Sequence, residues 1–130
     1  MQDQINLLIV DDNNDFLYSI STYLKEHYSG ELNIVGLAHG GVAACTEAID
    51  PAPQVVLLDL KMPDMHGFEV IPLLRRVYPH IKIVVTTLLP QEYDQFTIKI
   101  YEESAVLAGA DAFLSKEALT NDLVPLLKSL

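Results

Sequence analysis

Short, nearly continuous apolar runs alternate along this chain with longer segments in which apolar residues recur every three or four positions. Leu7–Val10, Ile34–Ala38, Val55–Leu58 and Ile83–Val85 are rich in β-branched residues, the pattern of strands buried on both faces of a parallel sheet. Ala112–Leu114 is a weaker fifth candidate. In the first intervening segment, Phe16, Leu17, Ile20, Tyr23 and Leu24 form one apolar stripe, with Asn13, Asn14 and Asp15 available to cap it. An alanine-rich helix is expected over Gly41–Ile49, stopping at Asp50-Pro51. A third, Phe68–Val77, starts after Gly67 and ends before Pro79. Tyr93, Phe96, Ile100 and Leu107 fall on one face of a fourth, with Gly109 suited to its stop. Thr120 is placed to cap a last helix running to Leu130.

Strict alternation of strand and helix predicts a doubly wound α/β domain: a five-stranded parallel sheet with helices on both faces, because parallel strands require right-handed crossovers. Pro72 and Pro125 disturb this reading. Each falls about a turn into a helix, where it costs on the order of 3 kcal/mol, so these helices either begin later or bend.

The 130 residues suit one domain with a proper core. No apolar run approaches a membrane span, and MQDQINLLIVDD has neither a basic n-region nor a cleavage-like site. A single cysteine, Cys45, excludes an internal disulfide and a cysteine zinc site, and its alanine neighbours suggest a packed small residue. The four histidines show no metal-ligand spacing. With 18 acidic against 8 basic side chains, the net charge of −10 argues against direct binding to nucleic acid.

The placement of the carboxylates matters more than their number. The first strand runs into Asp11-Asp12 and the third into Asp59. In neighbouring parallel strands these three meet at one sheet edge, where like charges need a counter-charge. Mg²⁺, which takes oxygen ligands, suits the position, and a carboxylate there can also attack phosphorus. Thr87 closes the fourth strand and Lys116 follows the fifth at the same edge. They add a hydroxyl and a cation, the parts that phosphoryl transfer requires.

With IVDD at 9–12, DLKMPDMHG at 59–67, Thr87 and AFLSK at 112–116, the chain resembles a response-regulator receiver domain of two-component signalling over its whole length. The resemblance implies that Asp59 is the phospho-acceptor. Asp12, Asp59 and the backbone carbonyl of Lys61 would ligate Mg²⁺, with Asp11 binding through water or orienting the cluster. Thr87 would be the switch hydroxyl, since alternation turns Thr86 to the other side. Lys116 would contact the phosphoryl group, Phe113 would be the aromatic that moves on switching, and Pro63 and Gly67 would shape the loop.

The partners implied are a histidine kinase or phosphotransfer protein, in the cytoplasm, and a second copy through the fourth helix, fifth strand and fifth helix. The chain is read as a receiver over 1–130 without an output domain, acting as a switch rather than an enzyme. Glu117 after Lys116 resembles the subgroup with helix-turn-helix outputs. Alternatives are a phosphorylation-independent interaction module and a small aspartyl-phosphate phosphohydrolase, the latter disfavoured because its nucleophile belongs on the first strand in an Asp-x-Asp pattern. Three departures stand out. Leu88 replaces a small residue beside Thr87, so it would restrict access to the site. His66 stands where an acid or amide is usual. The interval from Thr87 to Lys116 is about six residues longer than expected, more than a helical turn at about 1.5 Å per residue, which points to an altered partner surface at the fourth helix.

Overall fold

A computed structural model describes residues 4–47, 49–62, 67–88 and 94–130. Its elements follow the expected alternation: β1 (Ile5–Val10), α1 (Asn14–His27), β2 (Leu32–Ala38), α2 (Gly41–Thr46), β3 (Val55–Asp59), α3 (Gly67–Val77), β4 (Lys82–Thr87), α4 (Gln95–Leu107), β5 (Ala112–Ser115) and α5 (Leu119–Ser129), with a 3₁₀ turn over Lys116–Ala118. The strands form one parallel sheet in the order β2-β1-β3-β4-β5.

Side chains alternate across the pleat, so the central strands feed two cores. Val56, Leu58, Ile83 and Val85 pack with Ala44 of α2, with Val70, Ile71 and Leu74 of α3, and with Ala105 of α4. Leu7, Ile9, Leu57 and Val84 pack with Leu17, Ile20 and Leu24 of α1, and with Leu119, Leu123, Val124 and Leu127 of α5. Burial on both faces explains why these strands read as unbroken apolar runs. Cys45 is half-buried against the first core, as its neighbours suggested.

Local chemistry sets several helix ends. Asn13, one of the three expected caps, accepts a hydrogen bond from the Phe16 N–H. At the end of α4, Gly109 adopts a φ of 106°. Its N–H donates to Val106 O and the Ala110 N–H to Ala105 O, each at 3.0 Å, the paired bonds of a Schellman stop. Arg75 braces the far edge of the sheet. Its guanidinium donates to the carbonyls of Ile81 and Gly109 and pairs with Asp111 at 3.0 Å.

Several ends and faces differ from expectation. α2 stops at Thr46 rather than Ile49: Glu47 is already extended, and Ile49 packs against the first core. α5 begins at Leu119, so Thr120 lies inside the helix and does not cap it; Ala118 occupies the cap position, and the preceding turn supplies a bond from the Leu119 N–H to Lys116 O. Pro72 and Pro125 both lie within their helices, which excludes later starts. Each helix continues through its proline, with the neighbouring Ile71, Leu74, Val124 and Leu127 buried. On α4, Phe96, Ile100 and Leu107 do share a face, but it is the outward one: Phe96 is 73% and Leu107 88% exposed. The small Ala105 is turned inward instead. Tyr93 lies outside the described residues.

Candidate functional site

The order of strands reverses between β1 and β3, where ligands collect in open α/β sheets. β1 and β3 pair directly, with Val10 opposite Leu58. The residues next along each strand, Asp11 and Asp59, therefore leave the sheet side by side. Asp59 is still the last residue of β3, paired with Thr86 of β4, rather than the first residue beyond it. One carboxylate oxygen from each of Asp11, Asp12 and Asp59 lies within 4.8 Å of the others. Asp11 and Asp59 are buried, and Asp12 is exposed. Among the described residues, this group is the one placed to hold a metal ion, and its donors are all hard oxygens, the set that Mg²⁺ takes.

Two buried carboxylates this close require a counter-charge, and Lys116 supplies it. Its ammonium lies 2.8 Å from Asp11 Oδ2 and 3.9 Å from Asp59 Oδ1. Burial and then the Asp11 charge raise the Asp59 pKa from 3.8 to about 6, while Lys116 and the Lys61 N–H hold it down. Asp11 is fixed from the other side by the Asn13 N–H, which donates to Oδ1 at 2.9 Å. The loop after β1 and the cap of α1 thus also orient the carboxylate.

Thr87 ends β4 and is buried, paired with Ser115, the residue before Lys116. It shares strand parity with Ile83 and Val85 of the first core, and Thr86 shares that of Val84 in the second. The two threonines thus occupy opposite faces, as alternation requires. Thr86 Oγ1 is buried with no hydrogen-bond partner among the described residues. Phe113 is half-buried against the first core. Lys61 lies just beyond β3, and its ammonium stands 5.7 Å above the ring of Tyr101 in α4. Leu88 is exposed beside Thr87. Gly67 is the first residue of α3, whereas Pro63 and His66 lie outside the described residues.

Phe16 also reaches the site, which its helical periodicity alone did not announce. Its ring centroid is 4.2 Å from the Lys116 ammonium, a contact between residues a hundred positions apart. Its place in the apolar stripe of α1 concealed this second use.

A family model, the response regulator receiver domain, matches residues 7–128. The chain belongs to the response-regulator receiver family. Among curated relatives, this receiver domain is 35% identical over 120 residues to the response regulator GacA of Pseudomonas protegens, covering 92% of this chain and 52% of that protein. It is 29% identical over 119 residues to the response regulator protein VraR of Staphylococcus epidermidis, covering 92% and 53%. The chain therefore spans about half the length of the curated relatives it matches.

Solved structures agree on the receiver fold. The signal receiver domain of the response regulator NarL from Mycobacterium tuberculosis superimposes with a TM-score of 0.77 at 25% identity, over 98% of this chain and 96% of that one. A LuxR-family DNA-binding response regulator from Staphylococcus aureus gives 0.76 at 27%, over 96% and 97%. As a receiver domain, the chain is a signalling module of two-component systems. Among the described residues, no helix is long and apolar enough to cross a membrane.

Proposed function

We propose that this receiver domain is switched by phosphorylation of Asp59, with Mg²⁺ bound and a cytoplasmic histidine kinase or phosphotransfer protein as donor. The observation that carries the reading is the convergence of Asp11, Asp12 and Asp59 with Lys116 at the switch point of the sheet. Asp12, Asp59 and the Lys61 carbonyl would hold the metal, with Asp11 orienting the cluster. When bound, Mg²⁺ neutralises charge on the phosphoryl oxygens.

The residues of the chain do the rest. Asp59, ionised above its pKa of about 6, attacks phosphorus through a carboxylate oxygen. An O–P bond forms as the P–N bond of the donor phosphohistidine breaks, and the imidazole leaves with the bonding electron pair and takes up a proton. Lys116 is already at the acceptor and balances charge on the transferred group. The added charge then draws the Thr87 hydroxyl, with Phe113 following, and biases a two-state equilibrium at α4, β5 and α5. Exposed Phe96, Ile100 and Leu107 give that region an apolar surface for a second copy or an output partner. Direct contact with nucleic acid is not part of this reading, because the chain carries a net charge of −10.

The product is a conformation, with self-phosphorylation and dephosphorylation the only chemistry assigned. Beryllofluoride with Mg²⁺, a mimic of the acyl phosphate, should shift the spectrum of the wild type and leave Asp59→Asn unchanged. An unresponsive wild type would transfer support to a phosphorylation-independent interaction module.

A further inference from the structure

Lys116 is held by more than its carboxylates. The ammonium lies 2.8 Å from Asp11, 3.9 Å from Asp59 and 4.2 Å from the centroid of the Phe16 ring. Its side chain is only 15% exposed. The ring stands in the first turn of α1, where the Phe16 N–H is bound by the Asn13 cap and the Asn13 N–H in turn binds Asp11. One short segment therefore fixes both the carboxylate and the aromatic face that contact the same cation. An aromatic face attracts an ammonium through its quadrupole, most strongly where water is excluded. A lysine otherwise has a long flexible stem and readily swings toward solvent.

We propose that Phe16 is a positioning residue for phosphoryl transfer: its ring keeps the Lys116 ammonium over the Asp11–Asp59 pocket, ready for the incoming phosphoryl group. This rests on the phosphorylation reading above and adds a role for a residue outside the acidic cluster. It has consequences of opposite sign. A cation held 2.8 Å from Asp11 opposes a second cation at the same carboxylate, so Phe16 weakens Mg²⁺ binding. The same preplacement spares the lysine from being ordered during transfer, so Phe16 speeds phosphorylation.

The test compares wild type, Phe16→Leu and Phe16→Tyr. Leucine keeps apolar bulk without the ring, and tyrosine restores the ring. Mg²⁺ affinity is measured by titration with the metal alone. Phosphorylation is followed at saturating Mg²⁺ with a small acyl phosphate, and thermal midpoints are recorded without metal. Phe16→Leu should bind Mg²⁺ about two- to fivefold more tightly yet be phosphorylated about two- to fivefold more slowly, the range of a modest cation–π contact. Phe16→Tyr should return both values toward wild type. Unchanged values in Phe16→Leu, or affinity and rate falling together with the midpoint, would overturn the proposal and leave Phe16 a packing residue. If the wild type binds Mg²⁺ but takes up no phosphoryl group, the phosphorylation reading fails, while the metal titration still decides whether Phe16 holds Lys116.

Discussion

The ammonium of Lys116 sits closer to Asp11, at 2.8 Å, than to Asp59, at 3.9 Å. The lysine is therefore chiefly the counter-charge of Asp11 rather than of Asp59, the proposed phospho-acceptor. A carboxylate this buried cannot lose its partner cheaply.

Replacing Lys116 by methionine should accordingly destabilise the metal-free protein by on the order of 3 kcal/mol, because two buried carboxylates are left facing each other. Mg²⁺ should recover more stability in Lys116→Met than in wild type. Thermal denaturation with and without the metal checks this, and equal stabilisation by Mg²⁺ in both proteins would remove Lys116 from that role.

The pH dependence follows from the raised pKa of Asp59. Its folded value is about 6 against 3.8 for the free group, so between these values the native state holds a proton that the unfolded state has released. Stability from this group is present below about pH 4 and is lost as pH rises through 6. A shift of about two units corresponds to roughly 3 kcal/mol. In metal-free buffer Asp59→Asn should therefore be more stable than wild type at pH 8 by about that amount, with the difference vanishing below pH 4. Denaturant midpoints across this range test the sign.

The two adjacent threonines should separate cleanly. Thr86 Oγ1 is buried without a partner among the described residues, so Thr86→Val should be neutral or stabilising by about 1 kcal/mol and should leave the response to beryllofluoride intact. Thr87→Val should still bind the mimic but lose the conformational change that follows. The reverse pattern would make Thr86 the switch hydroxyl.

Leu88 stands exposed beside Thr87, 62% accessible, where a bulky apolar side chain can limit water at Asp59, the proposed acceptor. Leu88→Ala should shorten the lifetime of the phosphorylated state. Equal half-lives, followed by loss of the phosphoryl group after donor removal, would dismiss Leu88 as a gate.

The strands were legible because burial on both faces leaves an uninterrupted apolar signature, and parallel topology then carries every strand end to one edge. This is why the grouping of Asp11, Asp12, Asp59, Thr87 and Lys116 is legible in the sequence alone. Other features depend on facts that a linear pattern does not contain. Periodicity showed that Phe96, Ile100 and Leu107 share a face of α4, but not that the face is outward, since the small Ala105 makes the close approach instead. Thr120 was a reasonable cap by residue type, yet the 3₁₀ turn at Lys116–Ala118 starts α5 earlier. The contact of Phe16 with Lys116 arises only when α1 and the end of β5 are brought to the same edge.

Intact mass before and after incubation with Mg²⁺ and a small acyl phosphate tests the central claim most directly, with peptide mapping to place the modification. The wild type should gain one phosphoryl group on Asp59, lost when Mg²⁺ is chelated beforehand and absent from Asp59→Asn. An unmodified wild type, or a variant lacking Asp59 that is modified equally well, would contradict the account.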